Sequence, residues 1–320
     1  MQDQSKYPLS LEMLRTANKN VKRSPLKIIH TPMLNVEQTT ITLGASCNLL
    51  LKLENMQTTG SFKIRGIANQ FANKEGEGHF ITMSAGNYGK SFAHASKHYG
   101  FKGKVLMPET APSSRSSIIT SYGVEVEWMP SIFLKPAIDK YVKEQNDLVP
   151  IFSFHTVILA GRSNLGFEIL EDIPNPDVVV LCYGGGGLLA GVAATIRLSN
   201  GSGTRVYRVE PGGACTMYKS FAEGKPISMD TKSIAAGLAP PFAGSNTFEI
   251  CKEYVEDIVL VSEEEIKVAV TVLYRAGLVV EPSGTAAFAA IVGNKIPNLE
   301  GKNVVTILSG GNITPEELCS

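Results

Sequence analysis

The chain has 320 residues and is 43% hydrophobic, enough for one large or two modest domains with full cores. Lysine plus arginine and aspartate plus glutamate number 30 each, so no net field draws the chain to nucleic acid or to an anionic membrane surface. Five cysteines (Cys47, Cys182, Cys215, Cys251, Cys319) show no paired metal-ligand spacing, the opening Met1–Pro8 has no apolar leader core, and no stretch reaches membrane-span length, which together lead us to expect reduced thiols in a cytoplasmic protein.

In chain order, Ser10 is placed to cap a first helix running to about Lys19, and Asn48–Leu53 reads as a strand. His79–Met83 predicts a strand and Tyr88–Tyr99 a helix closed by Gly100. Lys104–Met107 follows as a strand, Ser113–Tyr122 as a helix closed by Gly123, Val124–Met129 as a strand and Pro136–Glu144 as a helix. The continuous apolar run Asp177–Tyr183 predicts a buried parallel strand, and the four glycines Gly184, Gly185, Gly186 and Gly187 turn it into an apolar helix, Leu188–Arg197. Val206–Glu210 is a further strand. Ser262-Glu263-Glu264-Glu265 forms a capping box that opens a helix to about Arg275, with Gly277 behind it. Ser283 is positioned to cap an apolar helix to about Val292, and Asn303–Leu308 is a last buried strand, ending in Ser309-Gly310-Gly311-Asn312. This alternation defines an α/β chain with parallel sheets covered by helices on both faces.

Three segments carry chemistry. In Thr59-Gly60-Ser61-Phe62-Lys63-Ile64-Arg65-Gly66 a lysine is flanked by an aromatic and an aliphatic residue. Partial loss of hydration there disfavours the ammonium and releases a free amine, as a Schiff-base lysine requires; a solvated surface lysine is the plain alternative. The Gly184–Gly187 turn brings backbone N–H groups close together before a helix N-terminus, which favours a phosphate. A dinucleotide loop is the competing reading, with Glu210 as its strand-end acid, although the glycines lack the spaced dinucleotide pattern. The third segment ends a buried strand in a hydroxyl, Ser309, and two glycines.

Gly60-Ser61-Phe62-Lys63-Ile64-Arg65-Gly66, Ser84-Ala85-Gly86-Asn87-Tyr88-Gly89, the tetraglycine and Leu308-Ser309-Gly310-Gly311-Asn312 occur in that order. From about His30 to Asn312 the chain resembles the serine/threonine dehydratase and serine racemase family of pyridoxal-phosphate enzymes. The resemblance implies the tryptophan-synthase-β-like (fold type II) architecture. It has a large cofactor-binding domain formed by 1–77 and 151–320 and a small domain, 78–150, inserted into it, with the site between the two. It further implies pyridoxal 5'-phosphate held as a Schiff base on Lys63, which also takes the Cα proton. Phe62 would lie beside the ring, and Gly184 to Gly187 with the N–H of Leu188 would bind the phosphate. Asn87 and the Gly237 backbone would lie near the ring hydroxyl, and Ser309 near the pyridine nitrogen. Ser84, Ala85, Asn87 and Tyr88 would surround an amino-acid substrate. A homodimer is also implied, with neither nucleic acid nor membrane as a partner.

A hydroxyl at Ser309, rather than a carboxylate, gives only a neutral hydrogen bond, so a long-lived carbanion is poorly stabilised and prompt loss of a β-hydroxyl is favoured. The expected reaction is therefore elimination from serine or threonine, giving a 2-oxo acid and ammonia. Racemisation is the alternative. It needs a second proton donor, which racemases of the family carry as a serine one place after Ser84; here Ala85 offers only a methyl group.

Departures from the family pattern lie at Tyr88 and Lys90, at Ala236, and at Arg162-Ser163-Asn164, which replaces Gln-Gly-Thr in a shortened stretch after His155. They raise a bulkier or charged 3-hydroxy amino acid as substrate, or a cofactor-binding protein with little activity. Glu210 and Ala214 match two of three positions used by cation-binding relatives, but Thr216 replaces the aspartate, so no tight divalent-cation site is expected. Glu281 is either a pocket wall or a helix-entry carboxylate. His94 and His98 share a helix face without a third ligand, Trp128 is expected to pack, and Lys52 and Arg65 either pair with carboxylates or meet an effector. No appended regulatory segment is expected after Asn312.

Overall fold

In the computed structural model, residues 9–319 are described apart from 45–46, 73, 75–77, 85, 110, 112, 146, 153–155 and 201–202. The strands among them are β1 (Met33–Asn35), β2 (Asn48–Lys52), β3 (His79–Met83), β4 (Lys102–Pro108), β5 (Glu125–Met129), β6 (Leu148–Pro150), β7 (Val178–Cys182), β8 (Arg205–Pro211), β9 (Asp257–Val261) and β10 (Asn303–Ile307). They form a six-stranded sheet, ordered β1-β2-β10-β7-β8-β9, and a four-stranded sheet, ordered β5-β4-β3-β6. Every pairing is parallel except that of β1 with β2. That edge pair departs from the all-parallel expectation: only residues 36–47 join the two strands, and no crossover helix intervenes to reverse the direction.

The apolar run of β7 is buried along its whole length, as a central parallel strand must be. Helix Pro282–Val292 lies across β7, β8, β9 and β10, and its alanines (Ala286, Ala287, Ala289, Ala290) let its backbone approach the sheet closely. Around the smaller sheet Phe71, Phe80, Phe92 and Phe101 interlock; Phe71 lies 5.3 Å from both Phe80 and Phe101 in mostly edge-on or tilted contacts. Val21, Leu26, Ile64 and Ile67 share this second core, so the helix that begins at Lys63 is anchored against the smaller sheet.

Predicted elements return with small shifts of boundary. The first helix, Leu11–Arg23, is capped by the Ser10 hydroxyl accepting from the Met13 N–H, and it runs four residues past the expected end. The capping box at Ser262 and Glu265 is reciprocal. Ser283 does not cap its helix. Pro282 occupies the first turn, Glu281 is the capping residue, and the Ser283 hydroxyl instead accepts from the Gly237 N–H at 2.9 Å. Trp128 is 38% exposed on the edge strand β5 rather than packed. Helices Lys63–Phe71 and Thr156–Asp172 were not anticipated; the second shows no one-sided apolar stripe because it is buried on several sides. Among the described residues no helix is long and apolar enough to cross a membrane.

Candidate active site

The C-terminal ends of β2, β10 and β7, adjacent in the sheet, deliver the three chemistry-bearing segments to one place, where ligands bind in open α/β sheets. After β2 the chain turns through Gly60 and pairs Ser61 with Gly310 beyond β10. The Phe62 N–H donates to the Ser309 carbonyl at 3.2 Å, and Lys63 starts the helix Lys63–Phe71. Cys182, the last residue of β7, donates its thiol to the Ser309 hydroxyl at 3.3 Å, leaving the serine proton available to another acceptor.

Lys63 extends its amine over the Phe62 ring, 4.5 Å from the centroid. Burial, followed by the Arg162 guanidinium, brings its pKa down to about 7, while Cys182 and Glu281 pull weakly the other way. Half of such amines are unprotonated near neutrality, which is the state that condenses with an aldehyde.

The tetraglycine leaves β7 and enters helix Gly187–Asn200. A methyl group at Gly184 would lie 2.5 Å from the Gly237 carbonyl oxygen, and Gly186 has a φ of +76° that other residues rarely adopt. The helix ladder opens with the Ala190 N–H donating to the Gly186 carbonyl, so the N–H groups before it form the usual unpaired, anion-favouring helix start.

A polar chain links Glu281, Asn87, Asn312 and Lys90. Asn87, first residue of helix Asn87–Tyr99, donates from Nδ2 to Glu281 Oε1 and accepts at Oδ1 from Asn312 Nδ2 at 2.7 Å. Asn312 Oδ1 accepts from Lys90 Nζ at 2.6 Å, and Arg115 donates to the Asn312 carbonyl and pairs with Glu317. Burial raises the Glu281 pKa to about 7, against the stabilising Asn87 hydrogen bond. Glu281 thus occupies the N-cap position of helix Pro282–Val292 without a side-chain capping hydrogen bond, its carboxylate being held by Asn87 instead. Arg115 was missed because nothing near it in the sequence marks a site, and Cys182, though just before the tetraglycine, because its hydrogen bond to Ser309 spans 127 residues.

Other predicted residues have different duties. The Ser84 hydroxyl accepts from the Gly89 and Gly86 N–H groups, at 2.9 and 3.2 Å, and so shapes the loop before the Asn87 helix. Tyr88 is buried in the second core, its hydroxyl directed at Gln70. Ala85 lies outside the described residues, as does His155. Lys52 pairs with Asp172 and Glu168, and Arg65 with Glu54 and Glu168, so both are carboxylate partners in a buried cluster behind the site. Glu210 accepts from the Met217 and Tyr218 N–H groups at the start of helix Thr216–Glu223, the role of a helix-entry carboxylate. His94 packs edge-on against Tyr122.

A near-neutral buried lysine, a glycine cradle at a helix start and a hydroxyl with a free proton together fit pyridoxal phosphate, the aldehyde, phosphate and pyridine nitrogen each finding a group. This fold and site define a fold type II pyridoxal-phosphate enzyme. Residues 25–310 match the family model described as pyridoxal-phosphate dependent enzyme, and the chain belongs to that family. Its cofactor is therefore pyridoxal 5'-phosphate. The catabolic L-threonine dehydratase of Staphylococcus aureus (strain USA300) is 35% identical over 277 residues, 83% of this chain and 79% of that protein. Maize serine racemase superposes with a TM-score of 0.89 at 28% identity, over 98% of this chain and 96% of that one. The processed form of threonine deaminase isoform 2 from Solanum lycopersicum gives 0.84 at 28% identity, over 97% and 93%.

Proposed function

We propose that this chain is a lyase that eliminates the β-hydroxyl of a 3-hydroxy amino acid, with L-serine and L-threonine as first candidates, releasing a 2-oxo acid and ammonia. The observation that carries the reading is the Lys63 amine, brought down to about pKa 7 beside Ser309 and the glycine cradle. The identity to the L-threonine dehydratase supports it.

When bound, pyridoxal phosphate supplies the electron sink that acidifies the Cα–H bond. Lys63 would hold the cofactor through its amine, and its Nζ would be the base that takes the substrate's Cα proton. The Phe62 ring would support one face of the cofactor, and the N–H groups of Gly184 to Gly187 and Leu188 would hold its phosphate. Ser309 would offer the pyridine nitrogen only a neutral hydrogen bond, a weak sink that favours departure of the β-hydroxyl. Asn87, fixed by Glu281 and Asn312, would hold the ring hydroxyl together with the Gly237 backbone. The open helix start at Asn87 receives the α-carboxylate. We also propose that 78–150, which supplies the four-stranded sheet, forms the small domain, and that 1–77 with 151–320 forms the large one.

Likeness to serine racemase supports racemisation as the second reading; against it stands the Ala85 methyl, which cannot deliver a proton to the opposite face. Purified holoenzyme incubated with L-serine and with L-threonine decides between them. Accumulating 2-oxo acid and ammonia is expected, and D-serine without 2-oxo acid would replace elimination by racemisation.

A further inference from the structure

Among the described residues, Arg162 is a buried cation with no ion-pair partner. It is 2% exposed on helix Thr156–Asp172, and its Nε and Nη2 have no hydrogen-bond partner among the described residues. Its neighbours are fully engaged: Asn164 holds Arg65 and Asn18, and the Ser163 hydroxyl donates to the Leu14 carbonyl. The nearby carboxylates are committed elsewhere, Glu54 and Glu168 to Arg65, Glu168 and Asp172 to Lys52, and Glu281 to Asn87. A buried guanidinium left unpaired is costly, and such groups are retained where a ligand completes them.

The position of Arg162 says what that ligand is. The guanidinium carbon lies 5.4 Å from the Phe62 ring centroid, and the Lys63 amine approaches the same ring at 4.5 Å. Its charge is felt by both the Lys63 amine and the buried Tyr88 hydroxyl. Arg162 therefore shares the Phe62 ring with the reacting amine. The glycine cradle already provides for the phosphate, so neither that group nor the α-carboxylate needs Arg162. A second anionic group on the substrate does.

We propose that Arg162 is a specificity-determining residue that binds a carboxylate on the substrate's β-carbon, making a 3-hydroxyaspartate the preferred substrate. This rests on the elimination reading above. The Cα–H and Cβ–O bonds break and water leaves; hydrolysis of the resulting enamine takes up one water, so 3-hydroxyaspartate gives oxaloacetate and ammonium without an oxidant or reductant. The planar fork of arginine matches a carboxylate in a two-point hydrogen bond that serine and threonine leave unmade.

The test compares wild type, Arg162→Gln and Arg162→Lys as holoenzymes. Two readouts are taken: kcat/KM for the L-3-hydroxyaspartate diastereomers, L-serine and L-threonine, and calorimetric binding of succinate, which carries two carboxylates and no reactive amine. Wild type should prefer one 3-hydroxyaspartate. Arg162→Gln should lose on the order of 100-fold more on it than on serine, as expected when a site built for a polar group loses it, the change at the Lys63 amine being common to both substrates. Succinate affinity should fall at least about 10-fold in Arg162→Gln and less in Arg162→Lys. Equal losses on all substrates, or a wild type that favours serine or threonine, would overturn the proposal. If no 3-hydroxy amino acid is converted, Arg162-dependent succinate binding still supports the anion site while the elimination reading falls; Arg162-independent binding, or none, removes the anion site.

Discussion

Raising the pH from 6 to 9 over cofactor-stripped protein should uncover the Lys63 amine at the bottom of that range. With its pKa brought from 10.5 to about 7, Lys63 is ~90% unprotonated at pH 8, against ~0.3% for an unperturbed lysine, a ~300-fold advantage in reactive amine. Burial is the larger cause and Arg162 the next, so Arg162→Gln should move the midpoint upward without restoring the ordinary value. Stopped-flow absorbance of Schiff-base formation with pyridoxal, which lacks the phosphate, reads the amine alone. The rate should rise with pH and level off above about pH 8. A rate still climbing tenfold per pH unit at pH 9 would show that Lys63 ionises as a surface lysine, and would refute the burial argument.

Three further outcomes are expected. Gly184→Ala places a methyl 2.5 Å from the Gly237 carbonyl oxygen, so stability should fall by about 1–3 kcal/mol in urea titration, with pyridoxal-phosphate affinity, read by fluorescence, at least about 10-fold weaker. Arg65→Ala leaves the buried Glu54 without a cation and Glu168 with Lys52 alone, and should cost about 3–5 kcal/mol of unfolding free energy. Glu281, with its pKa raised to about 7, holds a proton in the native state that the unfolded chain releases near 4.5. Wild-type stability should therefore decline relative to Glu281→Gln as pH rises from about 4.5 through 7, by up to ~3 kcal/mol, and parallel profiles would contradict the burial of that carboxylate.

Much of the site was legible because its chemistry is local in sequence. The motif around Lys63, the four glycines and Ser309 each follow a strand whose apolar run is visible by itself. The alternation of elements fixed the α/β class for the same reason. Long-range partners left no such trace. Glu281 meets Asn87 across 194 residues, and Lys90 meets Asn312 across 222, so neither contact could be read from spacing. Arg162 showed in the sequence only as an unusual residue; its lack of a counter-ion became visible only once Arg65 and Lys52 had taken the carboxylates around it. Ser283 misled because a serine before an apolar run signals a cap, whereas Pro282 had already set the helix start one residue earlier. Helix Thr156–Asp172 escaped because burial on several sides erases the one-faced pattern by which helices are recognised.

Borohydride reduction of the holoenzyme, followed by peptide mass mapping, tests the central claim most directly. The account predicts a single pyridoxyl-phosphate adduct on Lys63, with visible Schiff-base absorbance lost in step. An adduct on another lysine such as Lys52 or Lys90, or none at all, would contradict it.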